Sequence, residues 1–190
     1  METFRLARMT KDLFAMTAGV LCLPVLLAAA AGRAPEPTRA ILLAAAAVVV
    51  VLYLSVWLFF RPNRFEVDGR GLAIVWPARS SCVAVAEIRG VAVIDREQFR
   101  RQYGYGVRIG AGGLWGGFGW LKTGNGMLSM YISRTDSCVL IDRAGGRPLM
   151  ITPENPGRFV TLLQAAVARN QPPGWISPAE TPGFEPGMDD

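Results

Sequence analysis

The sequence predicts an apolar helical hairpin followed by a small strand-rich barrel or sandwich that a C-terminal helix plugs. Three observations carry this. Two uncharged apolar blocks, residues 13–31 and 40–60, fill most of the first sixty positions. From residue 61 the pattern changes to short alternating runs separated by turn signals. A single amphipathic stripe then closes that region at about residues 156–169.

The block 40-AILLAAAAVVVVLYLSVWLFF-60 has 21 residues without a charge. As a helix it is about 32 Å long, enough to cross a hydrocarbon core of about 30 Å. Tyr53 and Trp57, with Arg61 and Arg64 just beyond, suit the aromatic and basic edge of a bilayer. The block 13-LFAMTAGVLCLPVLLAAAA-31 has 19 residues and a proline, Pro24, that can kink it. Arg5, Arg8 and Lys11 before it and Ala29–Ala31 at its end also fit a secretory signal peptide. Its apolar stretch is long for a signal, and the second block follows after only eight residues, GRAPEPTR. A retained transmembrane hairpin over 13–60 is therefore the reading adopted, with residues 1–12 as a cytoplasmic N-terminus. Either reading leaves residues 61–190 in the cytoplasm. The basic residues agree: three precede the first block, two lie in the loop and four fall in 61–79.

In the domain 61–169 the expected strands are FEV (65–67), LAIVW (72–76), VAV (83–85), VAVI (91–94), MLSMYIS (127–133), CVLI (138–141) and PLMI (148–151). The turns are DGRG, residues 86–90 and RAGG. In the run 127–133, Leu128, Met130 and Ile132 face one way and Ser129, Tyr131 and Ser133 the other, which predicts a sheet with one wet face. The helix that follows is the one convincing helix of this region. Asn155 is a good N-cap, Pro156 suits the first helical position, and Phe159, Leu162, Leu163, Ala166 and Val167 share one face.

Chemistry is sparse. The chain has no histidine, which removes Ser–His–Asp and Cys–His catalysis and the commonest metal ligand. Cys22, Cys82 and Cys138 show no C-x-x-C spacing and read as buried thiols, a bridge between the last two being the lesser alternative. Two carboxylate pairs, Glu66 with Asp68 and Asp95 with Glu97, share a strand face without a third ligand or a nucleophile. No catalytic, metal or cofactor residue is assigned and no cofactor is expected. The stretch 110-GAGGLWGGFGWLKT-123 satisfies neither phosphate motif. Leu121 stands where a P-loop needs its second glycine, and Ile109 where the dinucleotide fingerprint needs its last. Glycines of this kind bend strands at sheet corners, so a bent strand connection is expected. A membrane-dipping loop is the lesser reading, since aromatic residues lie beside Lys122.

Several runs together resemble a known family: RRQYGYG (100–106), GFGWLKTGNG, MYISRTDSCVLI and above all PLMITPENPGRFVTLL. They resemble the bacterial pleckstrin-homology (PH)-like domains that stand behind short membrane hairpins, over roughly residues 64–168. The resemblance implies a mainly-β PH-like domain, a seven-stranded orthogonal barrel or sandwich capped by its C-terminal helix. It implies a non-enzymatic binding platform for protein or lipid, and location in a bacterial inner membrane with both termini cytoplasmic. The phosphoinositide site of eukaryotic members is not carried over, because the hairpin FEVDGRGLAI sets only Arg70 against Glu66 and Asp68.

Candidate contact residues follow from charge and aromaticity. Arg96, Arg100, Arg101 and Arg108 form the densest basic stretch, and Trp115, Trp120 and Lys122 lie in the glycine-rich segment. Ordinary solvation with salt bridges to Asp95 and Glu97 is the competing explanation. The acidic segment 170–190, rich in proline, is expected to lack regular structure, and its Trp175 and Phe184 suit a docking segment. The partners expected are the bilayer and a protein partner or second copy, not nucleic acid. An anionic-lipid sensor is the alternative, and an enzyme acting through the carboxylate pairs is a third class with little behind it.

Overall fold

The computed structural model describes residues 1–112 and 114–170. The first element lies before the hairpin: β1 (Glu2–Arg5) pairs antiparallel with β2 (Arg64–Asp68), Phe4 opposite Phe65. Between them run α1 (Lys11–Leu21), α2 (Leu23–Ala31), α3 (Thr38–Ser55) and a π-helical turn (Val56–Phe60). These form two helical arms, Lys11–Ala31 and Thr38–Phe60, of 21 and 23 residues, each long and apolar enough to cross a membrane. Both arms start two residues earlier than the uncharged blocks, because Lys11, Asp12 and Arg39 extend the helices into their polar flanks.

Pro24 divides the first arm where the sequence suggested. It has no N–H to give Val20, four residues back. The hydroxyl of Tyr53 on α3 donates to that Val20 carbonyl at 2.6 Å, so the orphaned acceptor becomes an interhelical clasp. Ala31 and Ala46 are the buried apolar side chains of the two arms, and small residues of this kind let helices approach closely.

The rest is two sheets and two helices. The strands β1, β2, β3 (Gly71–Val75) and β4 (Ser80–Ala84) form a four-stranded antiparallel sheet in that order. The second sheet contains β5 (Ile88–Ile94), β6 (Val107–Gly112), β7 (Gly117–Thr123), β8 (Gly126–Ile132), β9 (Cys138–Arg143) and β10 (Leu149–Ile151). Its order is β5-β9-β10-β8-β7-β6, with β10 parallel to β8. Among the described residues there are ten strands where seven were expected. The additions are β1 and the pair β6–β7, whose glycines and single apolar residues hide the alternation. Residues 85–87 are a 3-10 turn, and β5 already starts at Ile88, sooner than the expected turn allowed.

The helix α5 (Pro156–Asn170) follows Asn155 as predicted and buries Phe159, Val160, Leu163, Ala166 and Val167 in the main core. Phe159 meets the rings of Phe4 and Phe65 edge-on, at 5.2 and 6.4 Å between centroids. The expected wet face of the second sheet is corrected. One face joins the main core through Val139, Ile141, Leu149 and Ile151. The other carries Ile94, Leu121, Met130, Ile132, Cys138 and Met150 under a helix the sequence reading missed, α4 (Arg96–Tyr103). Ser133, expected on the wet face, is buried in a hydroxyl network.

That network fastens the N-terminal strap to both sheets. On one side β1 pairs with β2. On the other, the Ala7 N–H donates to Thr152 O at 2.9 Å, the Glu154 N–H donates to Arg5 O at 2.9 Å, and Ser133 Oγ donates to Ala7 O at 2.6 Å. Replacing Phe4 with alanine is expected to cost about 3–5 kcal/mol, measured by unfolding of the detergent-solubilised protein. Tyr53→Phe should cost roughly 0.6–1.7 kcal/mol and loosen the arms without affecting the barrel core, a difference that hydrogen exchange resolved by segment will show.

Candidate functional site

The helix α4 exists because its ends are signed. Asp95 Oδ1 accepts from the backbone N–H of Glu97 and Gln98, both at 2.8 Å, and Gln98 Oε1 accepts from Asp95 N, a reciprocal capping box. Phe99 and Tyr103, one turn apart, stack on each other and pack onto the outer face of the second sheet. The carboxylates Asp95 and Glu97 thus stand at a helix start, not on a strand face. Asp95 is used as a cap and Glu97 pairs with Arg101 at 2.6 Å. The other pair is also occupied: Glu66 binds Arg64, and Asp68 accepts from the N–H groups of Arg70 and Gly71 in the β2–β3 turn. Among the described residues no three His, Cys, Asp or Glu side chains come together as a metal site.

The glycine-rich segment is a hairpin of two strands, the bent connection expected. Gly110 and Gly119 face each other across β6 and β7, both with positive φ (132° and 124°). A Cβ on either would meet a partner-strand carbonyl oxygen at 2.5–2.6 Å, so the two backbones touch only because both residues are glycine. The hairpin tip also reaches the helical arms. The Trp115 N–H donates to Thr17 Oγ1 at 3.1 Å, and its ring meets Trp57 edge-on at 5.0 Å. Trp115 itself has φ +57°, a strained conformation for an aromatic residue. The tip of the hairpin thus packs against both helical arms, and the bent strands form its stem.

The remaining candidates do not gather into one patch. Arg96 and Arg108 rim a recess of about 230 Å³ beneath α4, floored by Phe99, Leu121, Met130 and Ile132. Arg100 lies over Tyr105 at 5.0 Å, and Arg101 is held by Glu97. On the opposite face of the same hairpin, the register sets Ile109 beside Trp120 and Val107 beside Lys122. There Val107 is 69% exposed, Ile109 42% and Trp120 46%, and Arg147 lies 5.6 Å from the Trp120 ring. The strand β6 is also the open edge of its sheet. Trp175 and Phe184 lie outside the described residues.

A third group, which the sequence reading did not assign, stands where the arms meet the barrel. Arg8, Lys11 and Arg61 line a cavity of about 480 Å³ with Phe14, Trp115 and Ser133. The Arg61 guanidinium stacks over Trp57 at 4.4 Å, and burial lowers its pKa from the usual arginine value. The three are 53 residues apart in sequence at the extremes, and the helical hairpin together with the closure of β1 onto β2 brings them together.

The thiols need one correction. Cys138 is buried as expected, and desolvation pushes its pKa up to about 12, but Cys22 and Cys82 are exposed. Cys82 alternates outward on β4 while Val83 points in. No disulfide joins Cys82 to Cys138; all three cysteines are free.

Two stacked sheets are closed by a C-terminal helix, with an open strand edge at β6 and recesses rimmed by arginines. The family described as bacterial PH domain matches residues 63–167. The chain belongs to the bacterial PH domain family. The match starts after β1 and the arms, so the strap that completes the first sheet lies outside it. We found no match among curated protein sequences and none among solved structures. PH domains bind proteins or lipids and are in general non-catalytic. In native protein a maleimide is expected to label Cys82 and to leave Cys138 unmodified until the barrel is unfolded, a contrast that peptide mass mapping reads directly.

Proposed function

We propose that the protein is a non-enzymatic, membrane-anchored binding module of the bacterial inner membrane, whose PH domain holds a protein partner on the cytoplasmic side. The anchoring rests on chain geometry. The strap before the first arm and the strands after the second belong to one sheet, so the start of the first arm and the end of the second lie on the same side. A pair of arms that crosses a bilayer must then cross twice, which favours a retained hairpin over a cleaved leader. The basic residues Arg5, Arg8 and Lys11 before it and Arg61 and Arg64 after it favour the cytoplasmic side.

The single observation that carries the partner reading is the open edge at β6. Val107, Ile109 and Trp120 form an apolar patch beside an unpaired strand, with Lys122 and Arg147 at its margin. An extended segment can add to such an edge through main-chain hydrogen bonds, with alternate side chains on the patch. The cations select an acidic segment. Charge complementarity makes an acidic protein partner the occupant, and the chain's own segment 171–190, with four acids and no basic residue, the competitor.

A second reading, an anionic-lipid surface sensor, is favoured by Trp115 against the arms and by the free arginines of α4, Arg96 and Arg100. It predicts salt-sensitive vesicle binding by the barrel.

The membrane reading is tested by fractionation: the protein should resist alkaline extraction and need detergent, and recovery in the soluble fraction would sink it. For the partner, full-length protein in mild detergent should carry a stoichiometric acidic protein that Ile109→Asp with Trp120→Ala removes while the unfolding temperature stays unchanged. A solitary monomer, or a partner indifferent to both changes, argues against the edge.

A further inference from the structure

The cavity at the root of the arms is walled by five separate segments: the strap after β1 (Ala7, Arg8), the start of α1 (Lys11, Phe14), the residue after the second arm (Arg61), the β6–β7 tip (Trp115) and the residue after β8 (Ser133). Three of its lining residues are cations, and no carboxylate lines it. Asp12 is in the first turn of α1 but does not reach the lining. Arg8, Lys11 and Arg61 form no ion pair among the described residues, whereas Arg64, Arg70, Arg101, Arg134, Arg143 and Arg158 each hold one. The Nε of Arg61 is buried without a hydrogen-bond acceptor while its guanidinium lies flat on Trp57. A half-buried guanidinium with one buried, unmet donor is best met by an anion. The first-turn amides of α1 add to the same positive field, since Thr10 offers no side-chain cap.

We propose that this cavity binds the phosphate of an anionic phospholipid. Arg61 and Arg8 supply charge-assisted hydrogen bonds to the phosphate oxygens, and Lys11 adds a third charge. Trp57 and Trp115 fix the depth at the headgroup level, where tryptophan is enriched. The mouth explains why the ligand is a lipid and not free phosphate. Phe14 is 62% exposed, and beyond it the outer surface of the first arm continues with exposed Leu21, Leu23, Val25 and Leu26, a track for an acyl chain. The phosphate site is complete only when β1 is seated, so a bound lipid joins the strap, both arms and the barrel.

The inference rests on the arms lying in a bilayer, and its test separates the two. Full-length protein is purified in mild detergent and its retained phospholipid is measured by mass spectrometry. Wild type should keep anionic phospholipid in near-stoichiometric amount, Arg8→Gln with Arg61→Gln should lower it tenfold or more, and Arg96→Gln with Arg100→Gln on α4 should leave it unchanged. Adding phosphatidylglycerol to delipidated wild type should raise its unfolding temperature, with phosphatidylcholine and millimolar glycerol phosphate producing no rise. If Arg61→Gln impairs folding, Arg8→Gln with Lys11→Gln, both exposed, serves in its place. Equal retention by wild type and variant, or a zwitterionic lipid in the site, overturns the proposal. So does an equal rise with glycerol phosphate, which would make this a soluble-phosphate site. Membrane-resident protein that keeps no anionic lipid rejects this site alone; detergent-free solubility rejects the membrane reading itself.

Discussion

Everything in this protein depends on a four-residue strand that precedes the helical arms. β1 gives its ladder bonds to β2 on one side, and the backbone just after it bonds to residues 152–154 on the other. It therefore joins the two sheets that α5 closes from a third direction. Phe4 is 4% exposed and lies against Phe159, so the strap delivers a core side chain as well as hydrogen bonds. Folding must bring together residues sixty positions apart, with two apolar arms looped out between them. Hairpin and barrel are for that reason one cooperative object, not an anchor with a cargo.

The junction is fastened at more points than the chain crossings alone. The Trp76 indole N–H donates to Phe60 O at 3.1 Å and the Ala78 N–H to Leu58 O at 3.3 Å, so the β3–β4 turn caps the last carbonyls of the second arm. The β6–β7 tip holds the first arm through Thr17. Tyr53 ties the arms to each other at the carbonyl that Pro24 leaves free. A tilt of the arms would have to disturb strand ends on both sheets.

Charge is distributed to the same effect. Arg64, Arg70, Arg101, Arg134 and Arg143 are neutralised locally, by Glu66, Asp68, Glu97, Asp136 and Glu87 respectively, and exposed pairs of this kind add little stability. Among the described basic residues that hold no ion pair are Arg8, Lys11 and Arg61 by the arms, and Arg96, Arg100 and Arg108 around α4.

The sequence by itself determined the two arms, the strand-rich domain, the closing helix with its Asn155–Pro156 start and the class of fold. Each of these is written in a local period or a local cap, and local signals survive without a structure. Some signals were present and misread. Asp95 and Gln98 have the spacing of a capping box, and Phe99 and Tyr103 that of one helical face, yet the surrounding arginines made the stretch look like a solvated edge. Other features leave no local trace. Glu2–Arg5 is too short to show alternation, and its partner is sixty residues away. The basic candidates were close in sequence, but strand alternation turned Arg108 to one face and Trp120 and Lys122 to the other. Only tertiary structure decided that Arg8, Lys11 and Arg61 share a cavity, because their nearness is created by the return of the helical hairpin together with the pairing of β1 with β2.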